Sequence, residues 1–479
     1  MARETWKTRA GFILAAVGSA VGLGNVWRFP WMTANNGGSA FLLLYLGIIL
    51  LVGVPGLLGA FVIGRRSNRN PVGALHSLSG GSRLWAAFGL FAVVTTLLLV
   101  SFYSVVGGWF VRYTAASVAG SYFGQSGAYF SAISYGPGAL AFGFAFLGAT
   151  AAIVYGGVEK GIERATKVMM PAIILLLIAL AGWTFTRPGA IDGATFFLSP
   201  DIAYLRANFL DILPAAVGQA LFTLSLGTGT MITYSSYLGE ERSLPGDATT
   251  IAVLNTAVGV LAGLLVFPLL FSFGLDVGSG GPGAIFVSVA SAFASLGLLG
   301  RALGVLFFAV VLLAALSSSI SMLEIPVAYL VDEHGVSRAK ATGAVTGLVA
   351  VGAAACALDK ATFGLLANTL VNLLMTAGLA GFLLFVGWVL GSRALDEYRA
   401  GAGEFARSLA TPWLLFVGVL IPIFLVFTLI TGLLSALGVT VGQLDVLGVR
   451  VASSTLALAA AVVGVLLAVA GLRRPDSVF

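Results

Sequence analysis

The sequence predicts an all-α membrane protein with twelve spanning helices, and three features carry that prediction. Of the 479 residues, 59% are hydrophobic and 9% are charged, and the mean hydropathy of +1.03 is far above that of a soluble domain. Apolar stretches long enough to cross a bilayer recur along the chain. Two of them are interrupted by glycine and polar residues. The stretches lie at 11–35, 39–63, 84–116, 139–156, 168–186, 211–238, 248–275, 302–330, 338–357, 363–391, 411–437 and 451–472.

The basic residues set the expected orientation in the cell membrane. Segments predicted to be cytoplasmic hold eighteen Lys and Arg residues, and predicted external segments hold five, an imbalance typical of cytoplasmic loops. The net charge of +6 is therefore a topology signal, and we expect no nucleic-acid partner. Arg3, Lys7 and Arg9 lead straight into the first span, so we expect no cleaved leader and cytoplasmic termini. The one cysteine, Cys356, excludes an intrachain disulfide.

The two interruptions predict a binding site. The first is Gly18 to Phe29, GSAVGLGNVWRF, and the second is Ser225 to Thr230, SLGTGT. Unwound backbone at membrane depth persists only where it is buried in protein or lines a watery cavity. Interrupted segments at corresponding positions of two halves indicate the substrate and ion site of a secondary transporter.

The spacing of the breaks predicts an inverted repeat. Spans 1 and 6 are both broken, so the first ten helices divide into two sets of five that enter the membrane from opposite sides. Helices 11 and 12 are then peripheral additions. The predicted units are a first repeat at 1–186, an external loop at 187–210, a second repeat at 211–391 with an external loop at 276–300, and peripheral helices at 392–479.

The residues at the first break suit small ions and carboxylates. Unwinding frees the carbonyls of Gly18, Ala20 and Val21 to point at a cation such as sodium, while the N–H groups of Gly22 and Gly24 open a half-helix whose positive end suits a carboxylate. The plain alternative is a kinked helix with a packing role. The second break and the polar residues that follow the first one disfavour it.

Three further polar positions support this interpretation. Asn25 adds a side-chain oxygen near the first break. One turn outward, Arg28 places a guanidinium at membrane depth, which is costly unless it lines a water-filled path or pairs with an acid, and we predict an outer-gate role. The run Ser317–Ser319 in span 8 can supply oxygens facing helix 1, although such hydroxyls also bond back to their own helix.

Three segments closely resemble the neurotransmitter:sodium symporter family, in its bacterial leucine-transporter type. They are RETWKTRAGFILAAVGSAVGLGNVWRFPW, GQALFTLSLGTGTMITYSSY and LSSSISMLE. The resemblance covers the chain from Arg3 to about Arg407. It implies the family's leucine-transporter fold, sodium coupling and alternating access.

The resemblance also implies site residues. One sodium ion is expected at Ala20, Asn25, Thr223 and Asn255 with the substrate's own carboxylate, and a second at Gly18, Val21, Ala314, Ser317 and Ser318. Substrate contacts are expected at Ser19, Ala20, Gly22, Gly24, Leu99, Tyr103, Phe222, Thr223, Ser225, Thr228, Ser318 and Met322, with the Tyr103 hydroxyl on the carboxylate. The gates are expected at Arg28 and Phe222 outside, and at Arg3, Trp6, Tyr237 and Asp332 inside.

Two positions bear on the substrate. Gly22 stands where monoamine-carrying relatives have an aspartate, so the resemblance favours a substrate with its own carboxylate, an amino acid. Thr228 replaces a phenylalanine of the leucine carrier, which leaves more room. We therefore expect a hydrophobic, large or aromatic amino acid.

Departures from the family pattern concern the outer gate. The stretch FGLLANTLVN has Gly364 and Ala367 where acids are expected, so Arg28 lacks the usual partner. Our hypothesis is that Asn368, water or Phe222 takes over the gating.

Two further resemblances to the family concern a chloride site and the unwinding of the fifth helix. Chloride is expected where Tyr45, Gln219, Thr223 and Asn255 resemble the anion pocket of chloride-dependent members, because Gly259 supplies no carboxylate there. Gly161 and Pro171 resemble a Gly-x9-Pro pattern linked to unwinding of the fifth helix; proline weakens a helix by removing a backbone donor.

The sequence thus predicts a sodium-coupled amino-acid symporter and no enzyme. The alternative is a sodium-dependent sensor that binds without transporting, and an ion channel fits a single occluding pocket poorly. Which amino acid is carried, whether a proton returns and the oligomeric state stay open. The expected cofactors are two sodium ions and chloride, and the expected partners are the amino acid and the lipid bilayer.

Overall fold

The computed structural model describes residues 9–239, 242–275, 283, 285–437, 443–446 and 449–472. Within these residues, ten continuous helices are long and apolar enough to cross a membrane, and a bent helix pair makes an eleventh span. The predicted helical membrane protein is confirmed. Arg3 and Trp6, expected in the inner gate, lie outside the described residues.

The spans follow the predicted apolar stretches closely. Their bounds are α1, Ala10–Ala20 and Gly24–Asn35; α2, Ser39–Ser67; α3, Arg83–Ala119; α4, Pro137–Tyr155; α5, Val158–Thr184; α6, Ile202–Thr223 and Thr230–Ser235; α7, Leu244–Ser272; α8, Gly297–His334; α9, Arg338–Leu358; α10, Lys360–Leu390; α11, Ala410–Leu434; and α12, Ser454–Gly471. Shorter helices are Pro71–Leu78, Ser126–Ile133, Ala190–Leu198, Ile285–Ala294, Ser392–Arg399 and Glu404–Ser408.

Both predicted breaks are present. The two halves of α1 meet at 42°. In α6 the helix stops after Thr223, and Ser225, Gly227 and Gly229 have φ values of 51°, 83° and 80°. Glycine adopts this left-handed region at little cost, whereas Ser225 is held there by its surroundings.

The sixth of the twelve predicted spans is the one that differs from the rest. Neither half of α6 forms a continuous apolar helix of spanning length. Its polar break, the internal Pro214 and a kink at Asn208 with φ −116° and ψ 16° explain the difference. The span therefore crosses as two pieces, as α1 does.

The segments that connect the predicted units contain further helices and strands. Helix α6 begins at Ile202, inside the expected external loop 187–210, which also holds the helix Ala190–Leu198. The loop 276–300 contains Ile285–Ala294 and the start of α8. Between α11 and α12, strands β1 (Gln443–Val446) and β2 (Val449–Ala452) form an antiparallel hairpin, a small addition to the predicted all-α class.

Helix α12 is the least buried of the continuous spans in the described part of the chain, and the peripheral position of helices 11 and 12 stays a prediction. Only 17% of its most apolar segment is buried within the protein, compared with 72% for α10. A helix with lipid on most sides needs no polar face, which fits its uniformly apolar sequence. The two broken helices lie near the middle of the bundle, where α3 and α8 pack together along their lengths.

Helix α10 starts with a cap and then a π-helical turn. The Asp359 carboxylate accepts hydrogen bonds from the Ala361 and Thr362 amides at 3.2 and 2.8 Å, and the Thr362 hydroxyl and amide lower the pKa of this carboxyl. The π-helical segment Leu365–Leu370 follows. Similar segments lie at Gly24–Arg28 in α1 and Val158–Glu163 in α5, and such turns often mark functional sites.

Candidate functional site

The two breaks and α8 meet at one carbonyl. The hydroxyl of Ser225, in the α6 break, donates to the Ser19 carbonyl at 3.2 Å, and the Ser318 hydroxyl of α8 donates to the same oxygen at 3.0 Å. The Ser19 hydroxyl itself donates to Ser321 at 2.7 Å. Backbone groups freed by unwinding must find partners inside the protein. Here the freed Ser19 carbonyl is satisfied by hydroxyls from two other helices, α6 and α8.

A first polar cluster lies where one sodium ion was expected. The Asn25 amide donates to the side-chain and backbone oxygens of Asn255 at 2.9 and 2.8 Å, and the Asn255 amide donates to the Thr223 hydroxyl at 3.1 Å. The Gly22 N–H donates to Asn25 Oδ1 at 3.1 Å and orients that side chain. Three predicted ligands are thus in mutual contact, with neutral oxygens of the kind that bind sodium beside unwound helices.

A second cluster lies where the other ion was expected. The Ser317 hydroxyl reaches the Val21 carbonyl of α1 at 3.1 Å and the Ala314 carbonyl of α8 at 2.8 Å. Gly18 packs against α5, since an added Cβ would lie 3.2 Å from the Thr166 methyl. The hydroxyl therefore joins two helices through the oxygens that the prediction assigned to a cation.

The residues expected to bind the substrate carboxylate lie together at the start of the second half of α1. The Tyr103 hydroxyl accepts a hydrogen bond from the Leu23 N–H at 3.1 Å. A Cβ at Gly22 would overlap the Ser318 hydroxyl and lie 2.9 Å from the Tyr103 oxygen. A Cβ at Gly24 would lie 3.0 Å from the Phe222 ring. Position 22 therefore has no room for an aspartate in this conformation.

Thr228 is held within the α6 break. Its hydroxyl donates to the Ser225 carbonyl at 3.0 Å and hydrogen-bonds the Thr230 hydroxyl at 2.7 Å, while Thr96 of α3 donates to the Thr228 carbonyl at 3.0 Å. The hydroxyl is thus engaged by the protein itself. All predicted substrate, sodium and chloride residues are buried except the half-buried Phe222.

We call the end of the bundle that holds Arg28 the outer end, following the predicted orientation. Arg28 is 6% exposed, and its guanidinium lies 4.8 Å from the centroid of the Phe222 ring. It donates to the Gly218 carbonyl at 3.1 Å, to Gln219 Oε1 at 3.4 Å and to Asn372 Oδ1 at 3.3 Å. Every partner of Arg28 within the described residues is neutral.

The hypothesis that Asn368 gates Arg28 is wrong in this conformation. Asn368 is exposed, and its carbonyl accepts from the Asn372 amide at 2.9 Å. Asn372, one turn deeper on α10, makes the contact with Arg28 instead. The Phe222 ring also contacts Arg28, and its role in closing the outer gate stays a prediction.

Comparison with known proteins identifies the family. The family model described as the sodium:neurotransmitter symporter family matches residues 3–125 and 136–445. The chain belongs to this family.

Individual relatives agree with this assignment. The chain is 35% identical over 457 residues to the uncharacterized sodium-dependent transporter YhdH of Bacillus subtilis (strain 168), covering 90% of this chain and 98% of that protein. It is similar to the structure of MhsT in complex with L-phenylalanine, with 37% identity, a TM-score of 0.80, and coverage of 91% of this chain and 100% of that one. The chain is therefore a sodium-dependent transporter, and the predicted fold is confirmed.

At the opposite end of the transporter, which we call the inner end, Tyr237 contacts a buried acid. Its hydroxyl donates to Glu324 Oε1 at 3.1 Å, and Glu324 is fully buried. Arg338 of α9 pairs with the other carboxylate oxygen and donates to the Val154 carbonyl at 2.9 Å. Asp332 is exposed and accepts from the Asn70 amide at 3.5 Å. The sequence reading missed Glu324.

A sequence signal for Glu324 was available. It closes the quoted run LSSSISMLE inside an apolar helix, and an acid within a span is a functional-site hypothesis by default. Its partner Arg338 begins the next helix. The acid lies late in α8 and the base begins α9, so the sequence alone does not show that the two side chains pair.

A second group of charges holds the start of α1 at the inner end. Arg242 pairs with the buried Asp247 at 2.6 Å, and its guanidinium lies 4.8 Å from the Phe12 ring. Arg65, 3% exposed, pairs with Glu397 at 2.8 Å and donates to the Arg242 carbonyl at 2.6 Å. The first half of α1 thus contacts the Arg242–Asp247 pair through Phe12, and Arg65 of α2 bonds the backbone of Arg242.

The expected chloride residues share groups with the first cluster. Thr223 and Asn255 bond each other, and the Gln219 amide donates to the Gly24 carbonyl at 2.7 Å. A Cβ at Gly259 would lie 3.7 Å from the Asn25 amide nitrogen, an ordinary contact. Position 259 therefore faces the cluster and has room for a Cβ atom.

The Gly-x9-Pro pair lies in the inner half of α5. Gly161 sits in the π-helical segment Val158–Glu163, where a Cβ would overlap the Ile153 carbonyl. Pro171 is inside the same helix. Since glycine and proline both weaken a helix, this part of α5 is the easiest to unwind.

Proposed function

We propose that this sodium-dependent transporter is a symporter that imports a hydrophobic amino acid, large or aromatic, by alternating access. The observation that carries the proposal is the convergence of two oxygen clusters and the Tyr103 hydroxyl on the unwound segment of α1. The solved complex of MhsT with L-phenylalanine supports an aromatic substrate.

Sodium and substrate are coupled in this proposal because they share ligands. The substrate carboxylate accepts hydrogen bonds from the Tyr103 hydroxyl and from the N–H groups that begin the outer half of α1. It also completes the coordination shell of the sodium ion held by Asn25, Asn255 and Thr223. A ligand that completes an ion's shell raises the affinity of each for the other by the same factor. The second ion takes the carbonyls that Ser317 now joins.

The side-chain pocket is apolar in this proposal. Leu99 and Met322 are each 3% exposed and lie with Phe222 among the predicted contacts. The absence of an acid at position 22 leaves nothing to hold a bare amine, so a zwitterionic amino acid is favoured. Chloride beside Gly259 offsets the charge of the first sodium ion.

Uptake into proteoliposomes tests the proposal. An inward sodium gradient should drive accumulation of radiolabelled L-phenylalanine or another large hydrophobic amino acid, and an equal potassium gradient should not. Tyr103→Phe removes one hydroxyl next to the carboxylate and should weaken uptake. Thr114→Val is a control, since the Thr114 hydroxyl bonds only its own helix in the described contacts, at 2.8 Å to the Phe110 carbonyl.

The alternative sensor is separated by counterflow. Liposomes loaded with unlabelled amino acid exchange it for labelled amino acid when the protein cycles. Sodium-dependent binding without exchange would overturn the symporter and favour the sensor. Accumulation under a potassium gradient alone would overturn sodium coupling.

A further inference from the structure

Asn372 is the one side chain of α10 that contacts Arg28 in the described part of the chain. The other partners of Arg28 belong to α6: the Gly218 carbonyl, Gln219 and the Phe222 ring. The Asn372 side-chain amide has an NH2 group that donates hydrogen bonds and a carbonyl oxygen that accepts them. Because its nitrogen donates to the Asn368 carbonyl at 2.9 Å, its oxygen is turned towards Arg28.

The π-helical segment explains why this residue faces Arg28. Leu365–Leu370 contains an extra residue per turn, which rotates everything after it by about 100° relative to a regular α-helix. Gly364 and Ala367, which stand at the positions expected to carry acids, come before or within this segment and have no side chain that reaches a guanidinium. The first long polar side chain after it that points inwards is Asn372.

The next turn of α10 packs on the α6 break. A Cβ at Gly227 would overlap the Met375 carbonyl, and a Cβ at Gly378 would overlap the Gly227 carbonyl. The two backbones are therefore in direct contact three and six residues beyond Asn372. The α6 break carries the proposed substrate contacts. When it moves, α10 must move with it, because the two backbones touch directly with no flexible side chain between them.

We propose that Asn372 is the latch of the outer gate, a hydrogen bond from the Arg28 guanidinium to a neutral amide oxygen that joins Arg28 to α10 when the α6 break closes. The proposal rests on alternating access, which is part of the proposed function. A carboxylate in place of the amide would add the attraction of opposite charges to this hydrogen bond. An amide latch therefore holds the outer gate closed more weakly than a carboxylate, and the gate reopens without separating an ion pair in a low-dielectric site.

Hydrogen exchange tests the latch without any substrate. In nanodiscs with sodium present, Asn372→Ala should speed amide exchange in the outer half of α1, Gly24–Asn35, by about ten- to a hundredfold, the effect of one hydrogen bond to a charged group. Asn372→Asp should slow it by at least as much. Asn372→Gln keeps the acceptor and should restore part of the protection, which a merely structural defect would not allow.

Asn368 provides the matched control. Asn368→Ala and Asn368→Asp change the same residue type one turn outward, where the side chain is exposed. Both should leave exchange in Gly24–Asn35 within twofold of the unmodified protein. Equal effects at 368 and 372, or no effect of Asn372→Ala, would overturn the latch.

A second measurement separates the latch from the proposed function. Dissociation of radiolabelled L-phenylalanine should be faster for Asn372→Ala and slower for Asn372→Asp. If the unmodified protein binds no hydrophobic amino acid, the proposed function fails, and the hydrogen-exchange result still decides the latch. Unchanged dissociation for Asn372→Ala in a protein that does bind would overturn the latch alone.

Discussion

At the outer end Arg28 meets only neutral groups among the described residues, whereas at the inner end the corresponding contacts are buried ion pairs. Arg28 contacts two carbonyl-type oxygens, an asparagine and an aromatic ring. At the inner end Glu324 pairs with Arg338, and Asp247 with Arg242. Breaking a buried ion pair leaves a charge uncompensated, at a cost of about 3–5 kcal/mol, whereas a hydrogen bond between a charged group and a neutral one contributes about 1.5–3 kcal/mol.

This difference bears on how the transporter cycles. Opening the outer end separates Arg28 from neutral partners, which costs less free energy. Opening the inner end separates buried ion pairs, which needs a larger driving force. Binding of sodium and substrate can supply such a force only through different affinities for the two states. The comparison therefore predicts that the empty protein opens more readily at the outer end than at the inner end.

The largest effect is expected for loss of the inner acid. Glu324→Ala leaves Arg338 without its carboxylate and should destabilise the protein by about 3 kcal/mol. It should also speed hydrogen exchange in the first half of α1. The measurements are thermal unfolding in detergent and exchange in Ala10–Ala20.

Glu333 provides the control for this change. Its pair with Arg69 spans 3.7 Å and Arg69 is 52% exposed, so Glu333→Ala should cost less than about 1 kcal/mol. Equal losses at 324 and 333 would contradict the view that the inner end is held by buried charge.

The next effect concerns the ion site between the two ends. Ser317→Ala removes the hydroxyl that joins the Val21 and Ala314 carbonyls. The substitution should lower the apparent sodium affinity by tenfold or more, since a polar group that interacts with a charge contributes roughly 1.5–3 kcal/mol. Ser319→Ala is the matched control, because Ser319 faces Thr150 at 2.7 Å. The measurement is sodium-dependent uptake, and a larger loss for Ser319→Ala would contradict the site.

A third change adds a charge to the neutral cluster below the outer gate. Gly259→Glu adds a carboxylate at a position whose Cβ would lie 3.7 Å from the Asn25 amide nitrogen. Transport should then become independent of chloride, because the carboxylate supplies the negative charge. Uptake with chloride replaced by gluconate measures this, with Gly259→Ser as the uncharged control. Transport by the unmodified protein that is already unaffected by gluconate would rule out the chloride site.

The smallest effect is expected for an acid at the position where the family pattern has one. Ala367→Asp should tighten outer closure and slow exchange in Gly24–Asn35. Its effect should be smaller than that of Asn372→Asp, because Asn372 is the residue of α10 in contact with Arg28. No change in external accessibility would count against any role for this position, and an effect larger than that of Asn372→Asp would place the latch at 367.

The fold was predictable from local chemistry, and the grouping of the cluster residues was predictable from the resemblance to a known family. Hydropathy located the spans, and the glycine-rich breaks located the site, since unwound backbone in a membrane needs buried partners. Asn25, Thr223 and Asn255 lie in contact as expected, and so do Ser317 and Val21. These pairings rest on motifs that resemble a known family.

The partners of the charged residues were decided only by the tertiary structure. Arg28 contacts Asn372 across 344 positions of sequence, and the π-helical segment Leu365–Leu370 sets which residue of α10 faces it. Glu324 meets Tyr237 and Arg338 because three helices converge at the inner end. Hydropathy and motif spacing describe one segment at a time. The face that a helix turns to its neighbours depends on its register and packing, which only the folded chain fixes.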